Sequence, residues 1–164
     1  MARGWWASKI RRTRQYLRAR VTAAEREELT GWLQPPQMEL FERMHIADRR
    51  HGLDVAADLR RSGAVDHDLL TAGLLHDCGK GPRTRLVHRV AWSLGQRYGI
   101  WIWWVSSHMP TFRQGLAALR DHAERSAVLA ESAGCSRRTI ELIRNQERPL
   151  DDAGRLLMAA DEAN

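Results

Sequence analysis

Apolar residues recur every three or four positions along nearly the whole of this 164-residue chain. Met38, Phe41 and Met44 repeat in this way, and the spacing places them on one face of an α-helix. No stretch alternates with a period of two for long enough to indicate a sheet. We therefore predict an all-α fold, a helical bundle in one compact domain, because a chain of this length suits a single core.

Local signals for helix ends support this interpretation. Thr22 is a predicted N-cap, with Glu25 at the capping-box spacing. Pro35 and Pro36 are expected to stop the helix that follows this cap. The segment from about 112 to 134 is expected to form one uninterrupted helix.

The positive charge of the chain is concentrated at its beginning. The formal net charge is +6, yet residues 1–20 contain six arginines and Lys9 without any acidic residue. The remainder is therefore close to neutral, and we predict a basic N-terminal arm over 1–20 and a single helical domain over 21–164. Such an arm can contact anionic lipid or nucleic-acid phosphates, although a solvated arm explains its composition equally well. No sequence motif of a nucleic-acid-binding fold is visible.

A tryptophan-rich stretch, "GIWIWWVSS" (99–107), contains Trp101, Trp103 and Trp104. We interpret it as packed core and partner surface, with peripheral membrane contact or a homodimer interface as alternatives. Its length is about half of the roughly 20 residues that a membrane span requires. The two cysteines form no CxxC pair, and the first residues are too charged for a signal peptide. We expect a cytoplasmic protein, with membrane association as the alternative.

Several polar residues interrupt the apolar helices. His51 is expected to open one helix, and His76 and Asp77 to close the next. His122 falls near the middle of the long predicted helix, and Asp161 follows "LLMAA" near the end of the chain. Taken singly, each has an ordinary structural explanation, such as a satisfied core histidine or a carboxylate that caps free backbone N–H groups. No local ligand pair such as HExxH is present.

Taken together, a histidine, a His-Asp pair and a later aspartate on successive helices resemble the HD-domain superfamily of metal-dependent phosphohydrolases. The resemblance covers about residues 36–164. Its most specific stretches are "ADRRHGLDVAADL" (47–59), "DLLTAGLLHDCGK" (68–80) and "LLMAAD" (156–161). The resemblance implies an HD-domain-like helical bundle and a hydrolase that cleaves a phosphomonoester or phosphodiester with metal-activated water. Its substrate is expected to be a small phosphorylated molecule, with a nucleotide as the commonest class.

The resemblance also implies that His51, His76, Asp77 and Asp161 bind one divalent metal ion. Two imidazoles and two carboxylates suit Mn²⁺, Fe²⁺, Co²⁺, Ni²⁺ or Mg²⁺ better than a closed zinc site. Adjacent residues on a helix point about 100° apart, so His76 and Asp77 need a helix end or a turn to converge. Cys78 is expected to face away from them and to pack in the core.

The catalytic residues implied by the resemblance are Asp77, Lys80 and His122. Lys80 and His122 are also expected to contact the substrate phosphate, with His122 as an alternative general acid. Arg50 and Arg83 complete the predicted substrate-binding set, although a solvated basic surface accounts for either arginine.

A second metal ion is not expected. Superfamily members with two metals carry further histidines after the His-Asp pair, but here the stretch "ELIRNQE" (141–147) has Asn145 and Gln146 where one would be expected. An amide oxygen is a poor substitute for imidazole on a transition metal. This departure keeps an alternative open, a catalytically degenerate module that binds metal and a nucleotide or protein partner. The chain has no GYP motif, so a role on cyclic dinucleotides is not predicted.

Overall fold

The computed structural model describes residues 14, 16–81, 84, 86–99, 104, 108 and 110–164. The predicted all-α class is confirmed, since every regular element within these residues is helical. In chain order the elements are α1 (Ala23–Thr30), α2 (Pro35–Arg43), α3 (Ile46–Arg61), α4 (His67–Leu75), a 3₁₀ turn (Cys78–Lys80), α5 (Leu86–Tyr98), α6 (Pro110–Arg120), α7 (His122–Ser132), α8 (Arg137–Arg144) and α9 (Asp152–Ala163). None of the described helices has the length and apolar character needed to cross a bilayer.

Some of the residues predicted from sequence lie outside the described part of the chain. They include Arg83, Trp101, Trp103 and most of the basic arm, residues 1–13 and 15. The predictions for these residues therefore stay predictions.

The predicted capping box at the start of α1 is confirmed. The Thr22 hydroxyl accepts a hydrogen bond from the Glu25 backbone N–H at 3.2 Å, and the Glu25 carboxylate accepts one from the Thr22 N–H at 2.8 Å. Side-chain caps of the same kind begin three later helices, where the caps are Asp66, Ser136 and Asp151. The helix starts therefore follow local chemistry that is readable from the sequence.

The predicted continuous helix over 112–134 is wrong, because the chain breaks between α6 and α7 at Asp121. Asp121 leaves the helical conformation, with φ −103° and ψ 15°. The His122 ring then turns back, and its Nδ1–H donates to the Leu119 carbonyl at 2.7 Å. His122 is therefore the first residue of a helix instead of lying in the middle of one.

Two further helix ends differ from expectation. Pro35 and Pro36 begin α2 instead of ending α1, since proline is tolerated in a first turn where its missing N–H has no intrahelical partner. His51 lies inside α3, which begins five residues earlier at Ile46. The N-cap of α3 is His45, whose Nδ1 accepts from the Ala47 N–H at 3.1 Å.

The core is built around α4, in which every residue from Leu69 to Leu75 is buried. Helices α3, α8 and α9 pack against it, and α3 approaches especially closely. A Cβ atom on Gly52 would lie only 2.4 Å from the Leu74 carbonyl oxygen. Glycine at position 52 therefore lets α3 and the end of α4 meet at backbone distance, which brings His51 next to His76. Cys78 is buried in the same core, as predicted.

Candidate metal centre

The candidate centre begins where α4 ends. His76 is the C-cap of this helix, and Asp77 follows it with φ −100° and ψ 2°. This turn brings the two adjacent side chains together, so that His76 Nε2 lies 3.6 Å from Asp77 Oδ1. The expectation that a helix end makes the pair converge is confirmed.

Three of the four predicted metal ligands meet at this point. His51 from α3 and Asp161 from α9 approach to 2.7 Å between Nε2 and Oδ1. His76 Nε2 lies 3.4 Å from the same Asp161 oxygen. The candidate ligand atoms of His51, His76 and Asp161 all lie within 4.8 Å of one another, so this cluster can hold a metal ion.

The hydrogen bonds of His76 show that its free nitrogen suits a metal ion. Its Nδ1–H donates to the Gly73 carbonyl at 2.9 Å, which leaves Nε2 of the neutral ring as an acceptor. Nε2 is buried and makes no hydrogen bond to any described group, and it faces the Asp161 carboxylate, which is also an acceptor. A buried ring nitrogen with a free lone pair and a carboxylate face each other stably only with a cation between them, either a proton or a metal ion. The residues present therefore fit a divalent metal.

The pKa values of the site describe the same arrangement with a proton in place of the metal. Burial has the largest effect on His76 and disfavours its charged form, but the carboxylates of Asp77 and Asp161 outweigh it and raise the pKa of His76 to about 9. Burial likewise favours neutral Asp77 and neutral Asp161. The positive charges of Lys80 and His76 outweigh burial at Asp77. At Asp161 the hydrogen bond from His51, together with the positive charge of His76, outweighs burial. The pKa of each carboxyl group is therefore well below its ordinary range.

Asp77 lies beside the three-residue cluster and is fixed by Lys80. Its side chain is 2% exposed, and its Oδ2 accepts a hydrogen bond from Lys80 Nζ at 2.5 Å. The other oxygen, Oδ1, faces His76 and His122. Asp77 is not one of the three residues whose candidate ligand atoms lie within 4.8 Å of one another, so its role as the fourth ligand stays a prediction. Lys80 lies at the site, and its contact with phosphate stays a prediction as well.

His122 lies at the edge of the site. Because its Nδ1–H is bonded to the Leu119 carbonyl, Nε2 is the nitrogen available to other groups. This atom lies 3.8 Å from Asp77 Oδ1, and the side chain is 14% exposed. The break between α6 and α7 thus places the His122 imidazole, a second partly exposed polar group, beside Asp77 and near Lys80.

Arg50 makes its contacts with other parts of the protein. Its Nη1 donates to Glu25 Oε1 at 2.6 Å and its Nε to Asp54 Oδ1 at 3.0 Å. The hydrogen bond from Arg50 is the main cause that lowers the pKa of Glu25 to about 2. These contacts join α1 to α3, while the predicted substrate contact of Arg50 stays a prediction.

Two buried residues that sequence analysis did not assign to the centre make hydrogen bonds with its backbone. Gln146 is buried, and its Nε2 donates to the His76 carbonyl at 3.2 Å. Ser126 is also buried, and its hydroxyl accepts from the Gly79 N–H at 2.8 Å. Gly79 packs so closely that a Cβ atom would lie 2.4 Å from the His122 carbonyl oxygen. No local pattern identifies these residues, because their partners are distant in sequence.

Comparisons of the chain with models of protein families, with curated proteins and with solved structures found no match. The resemblance to the HD-domain superfamily therefore stays a prediction carried by the motif stretches at 47–59, 68–80 and 156–161. What the chain does has to be inferred from the geometry of the centre itself.

Proposed function

We propose that this protein is a metal-dependent phosphohydrolase of the HD type, with one divalent ion bound by His51, His76, Asp77 and Asp161. The observation that carries the proposal is the unpartnered, buried Nε2 of His76 facing Asp161, with His51 closing the cluster. A structural histidine would have a hydrogen-bond partner on each nitrogen, since a buried acceptor without one costs about 1–3 kcal/mol.

The donor set limits the identity of the ion. Two imidazole nitrogens and two carboxylates favour Mn²⁺, Fe²⁺, Co²⁺, Ni²⁺ or Mg²⁺. When bound, such an ion polarises a phosphoryl oxygen and lowers the pKa of coordinated water. Asp77 would use Oδ1 toward the ion, since Oδ2 is held by Lys80.

Lys80 and His122 supply the remaining chemistry. The Lys80 ammonium group, 18% exposed and fixed by Asp77, stabilises the negative charge that grows on the phosphoryl oxygens in the transition state. His122, protonated on Nε2, donates that proton to the leaving oxygen. Water forms the new P–O bond while the ester P–O bond breaks, so a phosphomonoester gives an alcohol and inorganic phosphate, and a phosphodiester gives an alcohol and a phosphomonoester. Phosphomonoesters and phosphodiesters both fit this chemistry, and a nucleotide is the substrate class that the resemblance implies.

The proposal is tested by elemental analysis combined with a substrate screen. Purified protein should contain about one transition metal ion per chain. His76→Ala should abolish that metal content together with hydrolysis of p-nitrophenyl phosphate, bis-p-nitrophenyl phosphate or a nucleotide. His67→Ala is the matched control, because His67 begins the same helix and contacts the Trp32 carbonyl instead of the cluster. Protein that remains metal-free after supplementation with Mn²⁺ or Ni²⁺ would refute the proposal.

A non-catalytic, metal-stabilised module is the second candidate. It is favoured by Gln146, which replaces an expected histidine and donates its amide hydrogen to backbone. The module would bind metal with the same residues and hold a nucleotide or a protein partner without turnover. Stoichiometric metal with no hydrolysis across metals and substrates would favour this candidate over the enzyme.

A further inference from the structure

The charges of this chain are separated along its sequence. Two acid-free segments, residues 1–24 and 78–120, contain 14 lysines and arginines and no aspartate or glutamate. The rest of the chain holds the other 12 of the 26 basic residues and all 20 acidic residues, a formal net charge of −8. The net charge of +6 is therefore a small difference between two regions of opposite sign.

The structure brings described parts of the two acid-free segments into contact. Tyr16, in the basic arm, packs against the start of α3 and against α5. Its ring stacks on the His45 ring with 5.0 Å between centroids, and the Arg89 guanidinium group lies 5.4 Å from its centre. Arg89 belongs to α5 and is held in place by hydrogen bonds to the Asp48 carboxylate. The arm and α5 therefore adjoin at Tyr16.

One solvent-facing side of α5 is apolar, where a surface helix normally carries polar residues. The buried residues His88, Ala91 and Gly95 recur at a spacing of three and four and mark the inner side of the helix. Val87 and Val90, one turn apart on a different side, are 52% and 43% exposed. A single exposed valine needs no explanation, but a pair on one side of a helix within an acid-free segment indicates a contact surface.

Other exposed side chains of the acid-free segments have the same character. Leu17 follows Tyr16 in the arm, Trp104 lies between α5 and α6 in sequence, and both are largely exposed. The exposed basic residues of these segments include Arg14, Arg18, Arg97 and Arg113. Apolar and aromatic side chains among arginines suit the surface of an anionic bilayer, where arginine meets lipid phosphate and the apolar groups enter the boundary with the acyl chains.

We propose that this protein binds anionic lipid membranes peripherally, with the Val87–Val90 side of α5 and the adjoining arm against the headgroups. The apolar residues favour a bilayer over a nucleic acid. A phosphodiester backbone offers arginine the same charge, but it offers Leu17, Val87 and Val90 no apolar phase to enter. The negatively charged remainder of the protein is repelled by the anionic surface, which orients the bound molecule.

Flotation of the full chain with vesicles tests the contribution of the apolar side. Wild-type protein should float with phosphatidylcholine vesicles that contain about a third phosphatidylglycerol, bind phosphatidylcholine alone at least tenfold more weakly, and dissociate as salt is raised. We expect Val87→Ser/Val90→Ser to weaken binding to the anionic vesicles about tenfold. The control is Val65→Ser/Val128→Ser, which makes the same change at valines that are 92% and 48% exposed outside the acid-free segments. It should bind within about twofold of the wild type.

A second pair of variants tests the contribution of charge. Arg14→Gln/Arg18→Gln should weaken binding at least tenfold, since each basic residue near an anionic surface contributes about fivefold. Arg43→Gln/Arg137→Gln removes the same two charges at exposed positions that pair with glutamates, and it should weaken binding less than about threefold. Circular dichroism establishes that each variant is folded.

Loss of binding in both test pairs, with binding retained in both control pairs, would support the assignment. Wild-type protein that does not float with anionic vesicles would overturn it, as would a folded Val87→Ser/Val90→Ser variant that floats as well as the wild type. Equal weakening by test and control pairs would show that this side of the molecule is not the contact surface. Protein that binds duplex DNA but no anionic vesicle would assign the arginines to nucleic acid instead.

Discussion

At His76, a proton and the proposed metal ion compete for the same nitrogen. The pKa of this imidazole is raised to about 9 by the carboxylates that outweigh its burial, so the ring is protonated at neutral pH in the metal-free protein. Metal binding must then displace that proton. We expect the apparent metal affinity to rise about tenfold per pH unit from pH 7 to about 9 and then to level off. Competition with a chromophoric chelator measures this, and an affinity that is flat over the same range would contradict it.

The same pKa determines how the stability of the metal-free protein depends on pH. A histidine whose folded pKa exceeds its ordinary 6.5 stabilises the fold below pH 6.5, and this stabilisation is lost as the pH rises through about 9. Chelator-treated wild type should therefore show a melting temperature that falls between these pH values. His76→Gln cannot titrate and should show a weaker dependence in the same thermal scans, which makes it the control.

A substitution at Gln146 tests whether a residue that contacts a predicted ligand affects metal binding without being a ligand itself. Its amide donates to the His76 carbonyl in a buried position, so Gln146→Ala leaves that carbonyl unsatisfied. We expect a loss of about 1–3 kcal/mol in the free energy of unfolding and a metal affinity lowered about 10- to 100-fold. Asn145→Ala is the control, since the Asn145 amide donates within its own helix, to the Glu141 carbonyl. Equal effects at both positions in urea unfolding and metal titration would argue against a role for Gln146.

At the scale of the elements, the contact between α3 and α4 determines whether His51 reaches His76. A Cβ atom at position 52 would lie 2.4 Å from the Leu74 carbonyl oxygen, a backbone atom that cannot move without shifting the helix. We expect Gly52→Ala to push the helices apart, to cost several kcal/mol of stability and to abolish stoichiometric metal binding. Elemental analysis and thermal unfolding measure both effects.

Gly63, just after the end of α3, is the control for this change. It has φ +90°, but a Cβ atom added there would meet nothing within 4 Å, so alanine should cost only about 1 kcal/mol through its backbone conformation. Metal binding should be unchanged in Gly63→Ala. If Gly52→Ala also retains full metal content, the close approach of the helices is not what brings the ligands together.

The helices also show which features a sequence determines locally. Caps such as Thr22 and Ser136 were predictable because each bonds a backbone N–H a few residues away. The break at Asp121 was not, since the apolar period continues across it. What favours the break is tertiary, because Gly79 packs against the His122 carbonyl and the start of α7. A periodicity argument contains no information about that contact.

The residues of the candidate centre likewise include some that the sequence predicted and others that it did not. His51, His76 and Asp161 were predictable from the motif, and the structure brings them together. Gln146 was not predicted as a contributor, because it acts through a partner 70 residues away in sequence. A motif identifies residues that bind a ligand. The residues that position these binding residues are identified only when the packing of the fold is known.

At the scale of the whole molecule, the centre joins the end of the chain to its middle. Helix α9 packs through Leu157 and Ala160, both buried, and its last turn contributes Asp161. That turn is also attached by the Asn164 side chain, which donates to Asp58 and to the Ala160 carbonyl. A metal ion bound by Asp161 together with His51 and His76 would therefore link α9 to α3 and α4.

We accordingly expect removal of the metal to loosen α9 before any other helix. A ligand present at 100 times its Kd stabilises the bound state by about 2.7 kcal/mol, and the amides of 152–163 should lose protection of that order on chelation while those of α4 keep theirs. Hydrogen exchange with and without chelator measures this. Asp161→Asn should mimic the chelated state, whereas Asp152→Asn, an exposed change at the other end of α9, should not. Exchange in α9 that is equally slow under both conditions would mean that apolar packing alone holds the helix.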